Sequence, residues 1–271
     1  MAFARRGQSG LSDDSVVVDL GLTGRNALVT AASKGLGRGC AEALIGEGAR
    51  VFISSRDPKR IEAVAGEIGS AGSSARDVSR AGDPEALVNE AVDRLGALDI
   101  LVANAGGPPP GTFQSTPIEA WEDGFQLTLM SAVRLVKTAL PHLKRSDQAR
   151  IVFITSISVR QPIPNIVISN ALRAGVTGLA KTLARELAPD RITVNCLAPD
   201  AILTDRLTEI ARAQGADPEQ RVRQAGAAAP MKRLGTPAEF GATCAFLCSR
   251  QAAYITGQTL GIDGGSLLGV H

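Results

Sequence analysis

Short apolar runs alternate with amphipathic stretches along most of this chain. The runs Gly24–Thr30 (GRNALVT), Arg50–Ser54 (RVFIS), Asp99–Ala103 (DILVA), Ile151–Thr155 (IVFIT), Ile192–Leu197 (ITVNCL) and Gln258–Ile262 (QTLGI) read as buried strands, with a weaker one near Ser73–Arg76. Between them, the stretches Gly37–Gly48, Pro58–Gly69, Pro84–Leu95, Pro117–Leu143, Val167–Leu187 and Pro237–Cys248 read as helices. Strands that are apolar on both faces need helices on both sides, so the pattern predicts a doubly wound parallel α/β sheet. Gly106–Gly111 (GGPPPG) breaks the alternation and reads as a loop. Thr204–Ala229 is polar but helix-prone and is expected to lie as a lid over a substrate. No repeat and no linker interrupts residues 19–271, which are expected to form a single domain behind a flexible polar arm, residues 1–18.

Charge and composition remove several function classes. The 271 residues carry 29 basic and 27 acidic side chains, a formal charge of +2, which leaves no electrostatic footprint for nucleic acid. No apolar run approaches bilayer-spanning length, and the N-terminus (MAFARRGQSG) lacks the apolar core of a secretory signal. A cytoplasmic protein with no membrane partner is therefore expected. Cys40, Cys196, Cys244 and Cys248 form no CxxC pair. Cys244 and Cys248 fall one helical turn apart but have no His or carboxylate at ligand spacing. His142 ends a helix and His271 ends the chain, so no metal site is expected.

The first strand runs into Thr30-Ala31-Ala32-Ser33-Lys34-Gly35-Leu36-Gly37 and then into a helix. Glycines between a strand and a helix let the backbone turn tightly and approach a pyrophosphate, whose charge is favoured at the helix N-terminus. The spacing resembles the TGxxxGxG loop of the short-chain dehydrogenase/reductase family, with Ala31 in place of the first glycine. That substitution is tolerable unless the position needs a positive φ. The resemblance extends from about Asp19 to Gly265 and implies a Rossmann-type fold. Asp77-Val78 sits where the family contacts adenine, and Ala103-Asn104-Ala105-Gly106 resembles its NNAG motif, one Asn short. Ile192–Asn195 with Pro199 looks like the strand before the nicotinamide, Thr204 like the family Thr on the carboxamide, and Ile262–Gly265 like the C-terminal signature.

The second strand ends in Ile53-Ser54-Ser55-Arg56 and carries no carboxylate to hold a ribose 2′-hydroxyl. Arg56 and Lys34 instead suit a 2′-phosphate, so NADP is favoured, with NAD the alternative. Trp121–Leu140 and the strand ending at Gly265 match the family's subunit interfaces, which implies a homotetramer.

In the family a Ser holds the substrate carbonyl, a Tyr moves the proton, a Lys lowers the Tyr pKa and binds ribose, and an Asn holds a relay water. By resemblance these positions fall on Ser156, Ser169, Arg173 and Thr128. Only Ser156 keeps the family residue, and a turn hydroxyl satisfying local backbone is the competing reading of it. The sole tyrosine, Tyr254, lies in the AYITGQ segment, so no displaced Tyr-x-x-x-Lys exists. An aliphatic hydroxyl is too weak an acid for Tyr's task, and a guanidinium stays protonated. Asp200, following Pro199 where the family usually has Gly, is the candidate replacement acid or anchor, alone or paired with Arg173; a loop-capping Asp is the alternative. The expected activity is NAD(P)-dependent oxidoreduction of a small-molecule carbonyl or acyl substrate. A nicotinamide-binding protein without redox turnover is the alternative.

Overall fold

The computed structural model describes residues 18–213, 215 and 217–270. The arm expected over residues 1–18 lies outside them but for Val18. A seven-stranded sheet, β1 (Asn26–Val29), β2 (Arg50–Ser55), β3 (Gly72–Ala75), β4 (Ile100–Ala103), β5 (Arg150–Ile154), β6 (Thr193–Pro199) and β7 (Thr259–Ile262), runs in the order 3-2-1-4-5-6-7. Every pairing is parallel. The order reverses between β1 and β4, and in such sheets the crevice at the carboxyl ends of those strands receives the ligand.

Alternate residues of each strand feed two cores, as a period of two requires. Leu28, Leu101, Ile151, Phe153 and Cys196 face α3 (Asp83–Leu95), α5 (Ser131–Leu143) and α6 (Val167–Glu186). Val29, Val102, Val152 and Leu197 face α1 (Gly35–Gly46), α2 (Pro58–Ile68) and α9 (Pro237–Cys248). Helices α1 and α9 cross at two glycines. A Cβ on Gly241 would stand 2.1 Å from the Gly39 carbonyl oxygen, so only glycine admits this approach. The close crossing seats α1, and with it the loop that precedes it.

One expectation needs correction. Pro117–Leu143 is not one regular helix: α4 (Ile118–Phe125) and α5 are joined by a π-helical turn, Gln126–Met130. The Ser131 amide donates five residues back to the Gln126 carbonyl, and the Ser131 hydroxyl takes the freed Leu127 carbonyl at 2.5 Å. A side chain thus replaces a missing helical bond, which is how such widenings persist. The helix-prone segment Thr204–Ala229 holds two helices, α7 (Asp205–Ala213) and α8 (Pro218–Ala228). Asp217 caps the second by accepting from the Glu219 amide, and Pro218 opens it, so the chain cannot continue as one helix.

Candidate active site

The loop between β1 and α1 is fastened to its neighbours at both ends. Thr30 donates its amide to the Val102 carbonyl, and Ala32 donates to Ser54. The Thr30 hydroxyl donates to the Asn104 carbonyl at 2.6 Å and accepts the Asn104 amide at 2.8 Å. The Asn104 carboxamide donates to the Ala31 carbonyl at 3.2 Å. The carboxyl ends of β1 and β4 are thereby locked at the reversal of strand order. Ala31 takes φ +49°, so this position does need the left-handed region that a glycine would occupy without strain. A Cβ on Gly37 would lie 2.4 Å from the Ala31 carbonyl oxygen, which excludes any side chain there.

Lys34 caps α1 in extended conformation with no side-chain hydrogen bond to the first turn, whereas Asp57, Asp217 and Thr236 cap α2, α8 and α9. The first amides of α1, Gly35, Leu36 and Gly37, therefore keep their positive end for an anion. Thr204 arrives from beyond β6 to lie over this turn: a Cβ on Gly35 would meet its methyl at 3.4 Å. A phosphate bridge fits the loop. At the far end Arg56 is exposed after β2, and the nearest acid in sequence, Asp57, is committed to the Arg60 amide at 3.1 Å. Asp77 builds its own turn, accepting from the Ser79 amide and hydroxyl, while Val78 is buried in the core.

Ser156 follows β5. Its oxygen accepts the Ser158 amide at 3.1 Å, capping a short 3-10 turn, Ile157–Val159. The turn-hydroxyl reading is thus correct, yet it uses only the oxygen's acceptor side and leaves the hydroxyl proton to donate. The β5–β6 register, Ile154 opposite Leu197, carried two residues further sets Ser156 beside Pro199. Ser169 and Arg173 share a face of α6 one turn apart. One Arg173 terminal nitrogen donates to the Ile154 carbonyl at 2.8 Å and the Thr155 carbonyl at 3.1 Å, so the cation is anchored immediately before Ser156.

Behind the guanidinium lies a cavity of about 20 Å³, lined by Asn104, Ala105, Thr128, Ser131, Phe153 and Arg173 among others, with room for one water. The Thr128 hydroxyl oxygen is buried in the π-turn without a hydrogen-bond partner among the described residues. The structure thus gathers Thr128, Asn104 and Arg173 round one space. Asp200 directly follows β6, its amide bound to the Ile262 carbonyl at 3.2 Å. Its carboxylate joins no ion pair among the described residues, so the expected pairing with Arg173 is not formed; Arg173 is drawn instead to the unpaired carbonyls at the end of β5.

Two contributors escaped the sequence reading. Gly111, in the proline-rich loop, forms a two-sided bridge with residues 165–167: its amide donates to Asn165 and its carbonyl accepts from Val167. Asn170, beside Ser169, ties the same segment to α6 by donating to the Ile163 carbonyl at 2.9 Å. Pro164-Asn165 was the available turn signal, and Asn165 does take φ +61°.

A family model described as enoyl-(acyl carrier protein) reductase matches residues 30–266. The chain is 35% identical over 251 residues to dehydrogenase/reductase SDR family member 4 of Bos taurus, covering 91% of this chain and 88% of that protein. It is 35% identical over 247 residues to the 3-oxoacyl-(acyl-carrier-protein) reductase of Vibrio cholerae, covering 91% and 98%. The crystal structure of L-sorbose reductase from Gluconobacter frateurii, complexed with NADPH and L-sorbose, superposes with a TM-score of 0.86 at 31% identity, covering 93% of this chain and 100% of that one.

Proposed function

The chain belongs to the short-chain dehydrogenase/reductase family, and we propose that it works there as an NADP-dependent oxidoreductase of a small-molecule carbonyl or acyl substrate, with the proton handled by a group other than tyrosine. The observation that carries this reading is the β1–α1 turn: an uncapped helix N-terminus, Gly37 with no room for a Cβ, and Thr204 lying against Gly35. Amides of Gly35, Leu36 and Gly37 would hold the pyrophosphate, with Thr30 and Ser33 shaping the loop. Arg56 and Lys34 flank the position of a 2′-phosphate, which fits the NADPH bound by the sorbose reductase. Asp77 and Val78 border the adenine, and Asn104, Ala105, Gly106 and Pro199 border the nicotinamide half. When bound, the reduced nicotinamide supplies a hydride.

The chain's own residues do the rest. Ser156 donates its hydroxyl proton to the substrate oxygen as a hydrogen bond, and Arg173 places a permanent positive charge behind it. Ser169 widens the space that a tyrosine ring would fill. Thr128 and the cavity beside it end on a guanidinium, which passes no proton onward. Asp200 and solvent are the remaining proton sources. The exposed apolar residues Ile118 and Phe125 on α4, with Phe113 in the loop before it, suit a subunit contact in a homotetramer.

Fluorescence titration tests this reading. NADPH is expected to bind more tightly than NADH, and Arg56→Ala to weaken NADPH alone by about tenfold, the scale of one charged hydrogen bond. The double change Ser169→Tyr with Arg173→Lys is expected to raise ketone reduction. Failure of both nucleotides to bind would sink the proposal.

A further inference from the structure

The small cavity between the π-turn, α6 and the end of β5 brings a cation and an unsatisfied hydroxyl together. Arg173 supplies the charge on its wall, and no aspartate or glutamate lines it among the described residues. Thr128 is 6% exposed, and its hydroxyl has no hydrogen-bond partner among the described residues. The other polar side chains on the wall donate elsewhere, Ser131 to the Leu127 carbonyl and the Asn104 carboxamide to the Ala31 carbonyl. Leu135, Phe153 and Val176 are buried and make the apolar floor. Asn104, Ala105 and Arg173 are half-buried and mark the open end. Whatever enters passes the guanidinium and settles against the Thr128 hydroxyl.

We infer that this cavity is a chloride site, in which the Thr128 hydroxyl and the Arg173 guanidinium both donate to the ion. Size selects the ligand first: about 20 Å³ takes one atom near the size of a water, which excludes carboxylates, phosphate and sulfate. Charge selects it next. A water needs acceptors for its own protons, whereas a monovalent anion meets two donors with its whole charge. Its attraction to a guanidinium is strengthened where the walls keep bulk water away. A guanidinium has five N–H donors, so anchoring one terminal nitrogen on the Ile154 and Thr155 carbonyls is compatible with donation into the cavity. The ion ties the π-turn to α6, two elements that meet at the active site. Nothing in this inference depends on nicotinamide binding.

Two measurements on the full chain test the inference. In the first, crystals are soaked in sodium bromide and an anomalous map is recorded at the bromine edge. A peak between Thr128 and Arg173 is expected; a water there that bromide does not replace overturns the inference. In the second, urea midpoints are measured as sodium chloride replaces sodium gluconate at constant ionic strength, which holds screening fixed. Because the ion binds the folded chain, the midpoint should rise with chloride and level off. Thr128→Val keeps the side chain's shape without the hydroxyl and should shift the chloride dependence to about tenfold higher concentration, the scale of one hydrogen bond to a charged group. Should Thr128→Val not fold, Arg173→Met is read in the same way, and should neither fold, the map and chloride series of the unaltered chain decide. A bromide peak with no saturable chloride dependence in solution is an adventitious ion only and overturns the inference. A chloride dependence that Thr128→Val leaves unchanged places the ion elsewhere and also overturns it.

Discussion

Ala31 carries a methyl in a backbone conformation that L-residues avoid, at φ +49°. The cost of that conformation is roughly 1 kcal/mol or more. It persists because Thr30 and Ala32 are each bonded to a neighbouring strand and the Ala31 carbonyl is held by Asn104. Ala31→Gly is expected to relieve the strain while giving back part of the gain through a more flexible unfolded chain, about 0.4–1 kcal/mol. The net result is a rise of some tenths of a kcal/mol, read as a higher urea midpoint at unchanged slope. A lower midpoint would show that the loop is not strained at Ala31. At this scale the sequence was informative about residue type and silent about partners. The positions of Ser156, Ser169 and Arg173 follow from spacing along one strand and one helix. That Arg173 binds the Ile154 and Thr155 carbonyls rather than Asp200 depends on which acceptors the end of β5 leaves unpaired, and spacing does not contain that.

Helix α9 begins with Thr236-Pro237-Ala238-Glu239, and the Thr236 hydroxyl accepts the Glu239 amide while the Glu239 carboxylate accepts the Thr236 amide at 2.9 Å. Arg233 forks onto the same carboxylate at 2.9 and 2.7 Å. Those bonds, Arg233 first and the Thr236 amide second, hold Glu239 down at about 2 from an ordinary 4.5. A folded-state value below the unfolded one stabilises the protein above about pH 4.5 and is lost as pH falls towards 2. Glu239→Gln should therefore flatten the acid limb of stability against pH between those values, measured by urea melts in steps of pH. An unchanged limb would mean that the fork is open in solution. This helix was legible to the residue, because cap, proline and apolar face agree. The π-turn was not, since shifting one backbone bond to the Ser131 hydroxyl hardly disturbs the apolar spacing from Pro117 to Leu143. The Gly111–Asn165 bridge was hidden for a different reason: it joins two loops whose meeting is decided by where β4 and β5 end.

The two cores on either side of the sheet make one molecule only if they unfold together, and the cysteines can report on each. Cys40, Cys244 and Cys248 lie in the layer under α1 and α9, and Cys196 lies in the layer under α6. All four are at most 1% exposed. Burial pushes the Cys196 thiol up to about 11, and the hydrogen bond with Cys244, followed by burial, raises Cys248 well above the usual range. At Cys196 and Cys248 thiolate, the reactive form, is thus scarce, and all four sulfurs are inaccessible in the native state. A disulfide reagent in native buffer is expected to label none of the four at mildly alkaline pH. In rising urea all four should react with a single rate constant that tracks the loss of circular dichroism, the behaviour of a two-state unit. The close α1–α9 crossing and the shared strands β1, β4 and β5 couple the layers, because no strand can leave one core without emptying the other. Labelling of Cys196 ahead of the other three, resolved by peptide mapping, would separate the layers. The α6 side, which carries Ser169 and Arg173, would then open as a unit of its own, and the active site would be the less stable half of the molecule.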